Sequence, residues 1–386
     1  MSGSSTVPRT AAARITTLDV LRGLAILGTF ASNVWIFAYP GGPVAWVGSG
    51  FGGATGVPGV VETFLRFLVN GKFLALLTLL FGIGLELQYR AAVRRGIRWP
   101  GRYLWRATIL FVEGLVHYVL VFEFDVLMGY AVTSVLVAYL VGRSDRVVTA
   151  AMAAGATLTV LLVGALTALP PTGTDGPAPP APQDYLGQVA NRLQEWGQYR
   201  AEIVLIVPSG TALFLLGMRL LRAGAFEDTP AGARLRRRLT TIGLVGLPLN
   251  LVTSFAGPRW FFVDRYLCAP LVAIGLVAVV TTLVLRARGP EGMVRRGLTA
   301  VGRTALSCYV LQNVVASVLC YSWGLGLAAT MATAGPWAQV LWVPVLWAAV
   351  CVALVLAATL WLRRFDRGPL ELVMHRAMGA PRRARR

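Results

Sequence analysis

Uncharged apolar runs recur along this chain at lengths that a membrane requires. Residues 147–169 and 340–362 each give 23 consecutive positions without a charge, and 239–257 and 267–285 give 19 each. About 18 or more such residues, coiled as a helix, cross a hydrocarbon core of about 30 Å. Lipid supplies no hydrogen-bond partners, so each run must close its own backbone bonds, and a helix does that. Charged residues make up 14% of the chain, against roughly 25% in soluble domains. Mean hydropathy is +0.65. The fold expected is all-α: one polytopic membrane bundle over 18–362, between an N-terminal tail (1–17) and a basic C-terminal tail (363–386).

Ten spans are expected, at 18–40, 71–89, 104–122, 126–142, 147–169, 202–221, 239–257, 266–286, 298–320 and 338–362. With the N-terminus inside, 30 basic residues fall on the cytoplasmic side and six on the outer side: Arg66, Lys72, Arg192, Arg200, Arg259 and Arg265. Cytoplasmic loops carry the excess of Lys and Arg, so both termini are expected inside. The first run is flanked by Asp19 and Arg22 and has no small-residue cleavage site, so it reads as an uncleaved span. The longest outer loop, 170–201, opens with prolines and reads as extended and solvated. Segment 61–70 has the apolar spacing of a short helix at the outer interface.

A net charge of +19 in a soluble protein would point to nucleic acid. Here the arginines cluster between apolar runs, and Lys72 is the only lysine. That pattern excludes nucleic acid as the partner and points to anionic headgroups at the cytoplasmic face of the bilayer. The four cysteines, Cys268, Cys308, Cys320 and Cys351, lie in apolar stretches without metal-ligand spacing, so no metal site is expected. No Walker loop, dinucleotide fingerprint, Gly-x-Ser-x-Gly elbow or HExxH occurs, so ATP hydrolysis and nicotinamide chemistry have no support, and no bound cofactor is expected.

Ionisable residues inside a span are costly and are the first candidates for function. Glu113 and His117 stand four apart on the third span and share one face. At 1.5 Å per residue, His117 lies about 6 Å further out. A carboxylate one turn from a histidine can fix its tautomer and support the imidazolium, as a general base needs. The same pair also fits a structural role, joining helices by a hydrogen bond. Asp125 follows at the outer mouth of that helix. Asp19 and Arg22 form an i,i+3 pair at the cytoplasmic end of the first span, and Arg303 enters the ninth from the same side. Each suits an interface anchor, or a contact to the phosphates of an incoming donor. Asn33, Asn250, Gln312 and Asn313 are polar markers within spans, and Lys72 at an outer helix start can snorkel to headgroups.

Several segments in order carry a resemblance. They are 17–25 (TLDVLRGLA) with Asn33, then 71–73 (GKF), 80–84 (LFGIG), 113–117 (EGLVH) with Asp125, 216–218 (LGM), 302–307 (GRTALS), 309–312 (YVLQ) and 367–371 (RGPLE). Together they resemble the YeiB-like family of uncharacterised bacterial membrane proteins (domain of unknown function 418). The LDxLRG opening is also similar to that of the acyltransferase-3 family and of heparan-α-glucosaminide N-acetyltransferase. The resemblance implies a multi-pass protein of the bacterial cytoplasmic membrane. It also implies transfer of an acyl group, with acyl-CoA as co-substrate, from the cytoplasm to a small-molecule, lipid or glycan acceptor outside. Asn33 stands where the acyltransferase-3 family has a histidine, and 40–60 contains none. An acyltransferase reading therefore assigns the base to His117, support to Glu113, acceptor positioning to Asp125, and donor contacts to Asp19, Arg22 and Arg303. The alternatives are a proton-coupled transporter or lipid flippase using Glu113 and His117 as a relay, or a non-catalytic membrane subunit. Nothing in the sequence specifies an oligomeric state.

Overall fold

The computed structural model describes residues 9–43, 46, 54–169, 184–287 and 291–378. Residues 1–8 and 379–386 of the expected tails 1–17 and 363–386, and the proline-rich stretch 170–183, lie outside the described residues. Every regular element among the described residues is a helix, and the ten expected spans all fall on helical segments, 298–320 on two of them. The first half comprises α1 (Arg9–Ala38), α2 (Gly56–Val69), α3 (Lys72–Arg94), α4 (Arg102–Leu120), α5 (Leu127–Leu140), α6 (Asp145–Ala168), α7 (Tyr185–Gln194) and α8 (Trp196–Arg200). The second comprises α9 (Ile203–Arg222), α10 (Pro230–Phe255), α11 (Ala269–Arg286), α12 (Met293–Arg303), α13 (Ala305–Cys320), α14 (Leu327–Ala332), α15 (Pro336–Trp361) and α16 (Pro369–Ala377).

Six helical stretches are long and apolar enough to cross a membrane, and a seventh is added if one bent pair counts as a span. The fold is thus an all-α polytopic bundle with fewer self-evident spans than ten. Leu127–Leu140 has only 14 residues. Arg102–Leu120 carries Arg102, Arg106 and Glu113, and the first turns of Pro230–Phe255 hold four arginines. Outward faces are apolar: Leu161 on α6 is 63% exposed and Val345 on α15 67%. In water such faces would be sticky patches; in a bilayer they meet lipid tails.

Four expectations change. The first helix begins at Arg9, inside the expected tail 1–17. The ninth span, 298–320, is broken at Thr304, where α12 and α13 meet at 92°. Hydropathy hides this break, but packing explains it. A Cβ on Gly302 would stand 1.8 Å from the Asp19 carbonyl oxygen, and one on Gly23 2.0 Å from that of Leu298. Helix α12 is thus clamped backbone-to-backbone against α1. The freed amides of α13 are taken by Glu371 of α16, which accepts from Leu306 N at 2.8 Å and Ser307 N at 3.4 Å, and also from the Ser307 hydroxyl at 2.5 Å. Part of the C-terminal tail is therefore a docked helix that caps α13. Lastly, the second half of the loop 170–201 is helical: Asp184 caps α7 by accepting from Gly187 N at 2.7 Å.

Basic groups of the expected cytoplasmic side gather at one end. Glu86 binds both Arg90 and Arg222, at 2.7 and 2.8 Å, and Arg219 donates to the Asp145 carbonyl at 3.1 Å. This segregation gives a test of orientation. In a background without the native cysteines, a cysteine at exposed Ala190 should react with an impermeant thiol reagent in intact cells. One at exposed Ala231 should not. Labelling at Ala231 alone would reverse the orientation.

Candidate functional site

The link from α4 to α5 folds back beneath α4, and it can do so because Gly114 has no side chain. A Cβ there would stand 2.9 Å from Asp125 Oδ2. Asp125 thereby reaches the first amides of α5, accepting from Leu127 N at 2.8 Å and Met128 N at 3.3 Å. A carboxylate at a helix start is stabilised by those amides and by the helix dipole. Its other oxygen lies 3.1 Å from His117 Nδ1 and accepts from Tyr309 Oη at 3.1 Å. On the far side of the ring, His117 Nε2 lies 3.2 Å from Asn313 Nδ2. Both contacts are satisfied when Nδ1–H donates to Asp125 and Nε2 accepts from the amide. That is the neutral tautomer with its lone pair on Nε2.

The partner of His117 is therefore Asp125, not Glu113. The helical spacing of Glu113 and His117 places them on one face, yet no hydrogen bond joins them, and Glu113 Oε1 is buried without a partner among the described residues. The neighbour of Asn313, Gln312, is wholly buried, and its amide has no described partner either. His117 is 2% exposed.

Two arginines cover this centre. Arg200 stacks 4.1 Å over the ring of Tyr118 and donates to the carbonyls of Asp125, at 2.8 Å, and Glu123. Arg192 binds Glu123 Oε1 at 2.8 Å and the carbonyls of Val119 and Val121 at 3.1 and 3.3 Å. Burial works against the charge of Arg192, but the Glu123 carboxylate outweighs it and holds the guanidinium above its ordinary range. From the sequence both arginines read as solvated loop cations. Their burial depends on carbonyls 70 or more positions away.

A second polar centre surrounds Asp264, which the sequence reading missed. Its carboxylate accepts from Asn70 Nδ2 at 2.7 Å, Asn250 Nδ2 at 2.6 Å, Thr253 Oγ1 at 3.0 Å and Ser254 Oγ at 2.7 Å. Lys72 is near enough to feel the charge of Asp264, donates to the Phe67 carbonyl, and sits 4.2 Å over the Phe67 ring. Lys72 and Asn250, two isolated markers in the sequence, thus belong to one network. Beside it Arg265 binds Glu202 at 3.0 Å. A polar cluster inside the otherwise apolar 258–286 stretch was the available signal.

This network floors a chamber of about 530 Å³ whose lining includes Asn33, Glu62, Arg66, Glu202, Asp264 and Arg265. Such a volume suits a small-molecule ligand. His117 is not on its wall. Phe124, next to Asp125 in the chain, and Tyr199 are, with ring centroids 5.7 Å apart. At the arginine-rich end, Arg22 binds Asp19 at 2.9 Å, and Arg303 donates to the Asp366 carbonyl at 3.1 Å. Asp19 lies under Gly302, so the three expected donor residues do converge. Arg106, not singled out from the sequence, lies within range of the Arg22 charge.

The uncharacterised protein YxaH of Bacillus subtilis is 25% identical over 95% of both chains. The uncharacterised protein YeiB of Escherichia coli is 26% identical over 93% of this chain and 94% of its own. An uncharacterised 39.9 kDa protein of Bacillus acidopullulyticus is 32% identical over 27% of this chain and 28% of its own. Residues 220–380, which run from the end of α9 through α16, match the family described as protein of unknown function (DUF418). Along nearly its whole length, then, the chain is similar to the uncharacterised proteins YeiB and YxaH, and over residues 220–380 to the DUF418 family.

Proposed function

We propose that the protein is a membrane-bound acyltransferase of the bacterial cytoplasmic membrane, with its arginine-rich end inside. The observation that carries this reading is His117, held by Asp125 in the tautomer whose Nε2 can take a proton. In the reaction, an acceptor hydroxyl or amine replaces the Asn313 amide at Nε2 and gives up its proton there. The acceptor oxygen or nitrogen then attacks the carbonyl carbon of an acyl thioester such as acyl-CoA. The C–S bond breaks, and the thiolate leaves with the proton from His117. Asp125 supports the imidazolium formed on the way. Arg22, Arg303 and Arg106 hold the donor's phosphates. The acceptor, a sugar, lipid or metabolite, comes from the outer chamber once Phe124 and Tyr199 part.

One observation favours a second reading, proton-coupled transport. The chamber and His117 are separate, as a relay with gated access requires. The readings part on a simple assay. Membranes containing the protein, given a labelled acyl thioester, should consume the donor in proportion to product. His117→Ala should abolish consumption, and His117→Gln, which keeps hydrogen bonds but carries no proton at neutral pH, should lower it by on the order of 10²-fold or more. Full activity in His117→Gln would make the histidine structural and end both the transferase and relay readings.

A further inference from the structure

The charged groups of the chamber are already engaged. Arg66 binds Glu62 at 3.3 Å and Arg265 binds Glu202 at 3.0 Å, while Asp264 accepts from four side-chain donors and lies within range of the Lys72 charge behind the wall. A charged head would have to break one of these pairs and leave an unmatched charge in a low-dielectric site. An uncharged head with many hydroxyls would not. It meets acceptors and donors side by side: the second carboxylate oxygen of Glu202, the remaining guanidinium N–H groups of Arg66, and the Asn33 amide, which makes no described hydrogen bond. Trp35 adds a flat apolar surface to the same lining, suited to the C–H face of a ring sugar.

The chamber also has an apolar side. Leu166 and Val204 line it, yet are 43% and 59% exposed. Residues that both line a cavity and face outward mark its mouth. Those neighbours are apolar, so the mouth opens sideways onto the lipid-facing surface of α6 and α9. We infer that the chamber binds a sugar-headed lipid: a neutral, polyhydroxylated head seated among Asn33, Arg66 and Glu202, with its tail leaving past Leu166 and Val204 into the bilayer. Its role as acceptor rests on the acyltransferase reading; the binding site does not.

An alkyl β-glucoside with a photoreactive group in its tail tests this on the full-length protein in phosphatidylcholine nanodiscs. Crosslinks should fall on the peptides around residues 162–166 and 204. Octyl glucoside should compete, whereas octyl sulfate, an octyl ammonium and free glucose should not. Asn33→Ala should weaken labelling about 10-fold, roughly a factor expected for one lost hydrogen-bonding group in a buried site. Leu166→Trp, at an exposed wall position, should block the mouth while the protein stays folded. Equal competition by octyl sulfate, or unchanged labelling in both variants, overturns the proposal. Labelling without any acyl transfer would uphold the site and dismiss its acceptor role. Transfer to a glucoside acceptor without crosslinks here would uphold the enzyme and overturn the site.

Discussion

Replacing Asp125 by alanine is expected to destabilise the fold strongly, by about 1–3 kcal/mol for each buried donor left without an acceptor. The loss strands several groups at once. His117 Nδ1–H and Tyr309 O–H lose their acceptor, and the Leu127 and Met128 amides lose their cap. All lie where water does not reach, so each orphaned donor is costly. The denaturation midpoint in lipid nanodiscs should drop sharply. Asp125→Asn should behave differently: its carbonyl can still accept from the two amides, but it then faces His117 with an N–H₂ group. The imidazole must turn its lone pair to Nδ1, which puts the proton on Nε2. The variant should remain folded and lose transfer by ~10³-fold or more. A stable, fully active Asp125→Asn would remove the basis for assigning His117 as a base.

The second large effect is expected at Asp264. Asp264→Ala removes the acceptor shared by Asn70 and Asn250, and leaves Lys72 without its anion. Thr253 and Ser254 keep backbone acceptors at the Leu249 and Asn250 carbonyls, so they suffer less. Asn250 keeps the Asp264 main-chain carbonyl at 3.3 Å, so the Asn70 amide is the one orphaned, at about 1–3 kcal/mol, and the stranded Lys72 adds to that loss. Asp264→Asn, which retains one acceptor oxygen, should lose less than half of that. Thermal denaturation followed by fluorescence separates the two variants; equal midpoints for wild type and Asp264→Ala would show that the network contributes nothing.

Hydropathy made the all-α polytopic class and the placing of the helical segments legible, but neither the break within 298–320 nor how many segments are long and apolar enough to span. It reached local features of the site too: His117 stood out as a histidine among ATILFV and GLV, and the adjacent Gln312 and Asn313 did as well. What escaped depends on contacts distant in sequence or on backbone approach. Glu113 looked like the partner of His117 because helical spacing is local, whereas Asp125 arrives only through a fold-back that Gly114 admits. Arg192 and Arg200 counted as loop charges because nothing local shows that carbonyls 119–125 will receive them. Asp264 collects ligands from positions 70, 250, 253 and 254, so no single window contains the site. The bend at Thr304 is invisible to hydropathy because apolarity continues through it.

The central claim is that a donor spent at the arginine-rich end acylates an acceptor from the opposite side, with His117 as base. Inside-out vesicles carrying the protein expose the arginine-rich end to the medium, and labelled acyl-CoA added there cannot cross the bilayer. The account predicts that label appears on a lumenal acceptor in step with free thiol released outside. It predicts that neither appears with His117→Gln. Transport driven by an imposed pH difference, with no thiol released and no label transferred, would contradict it.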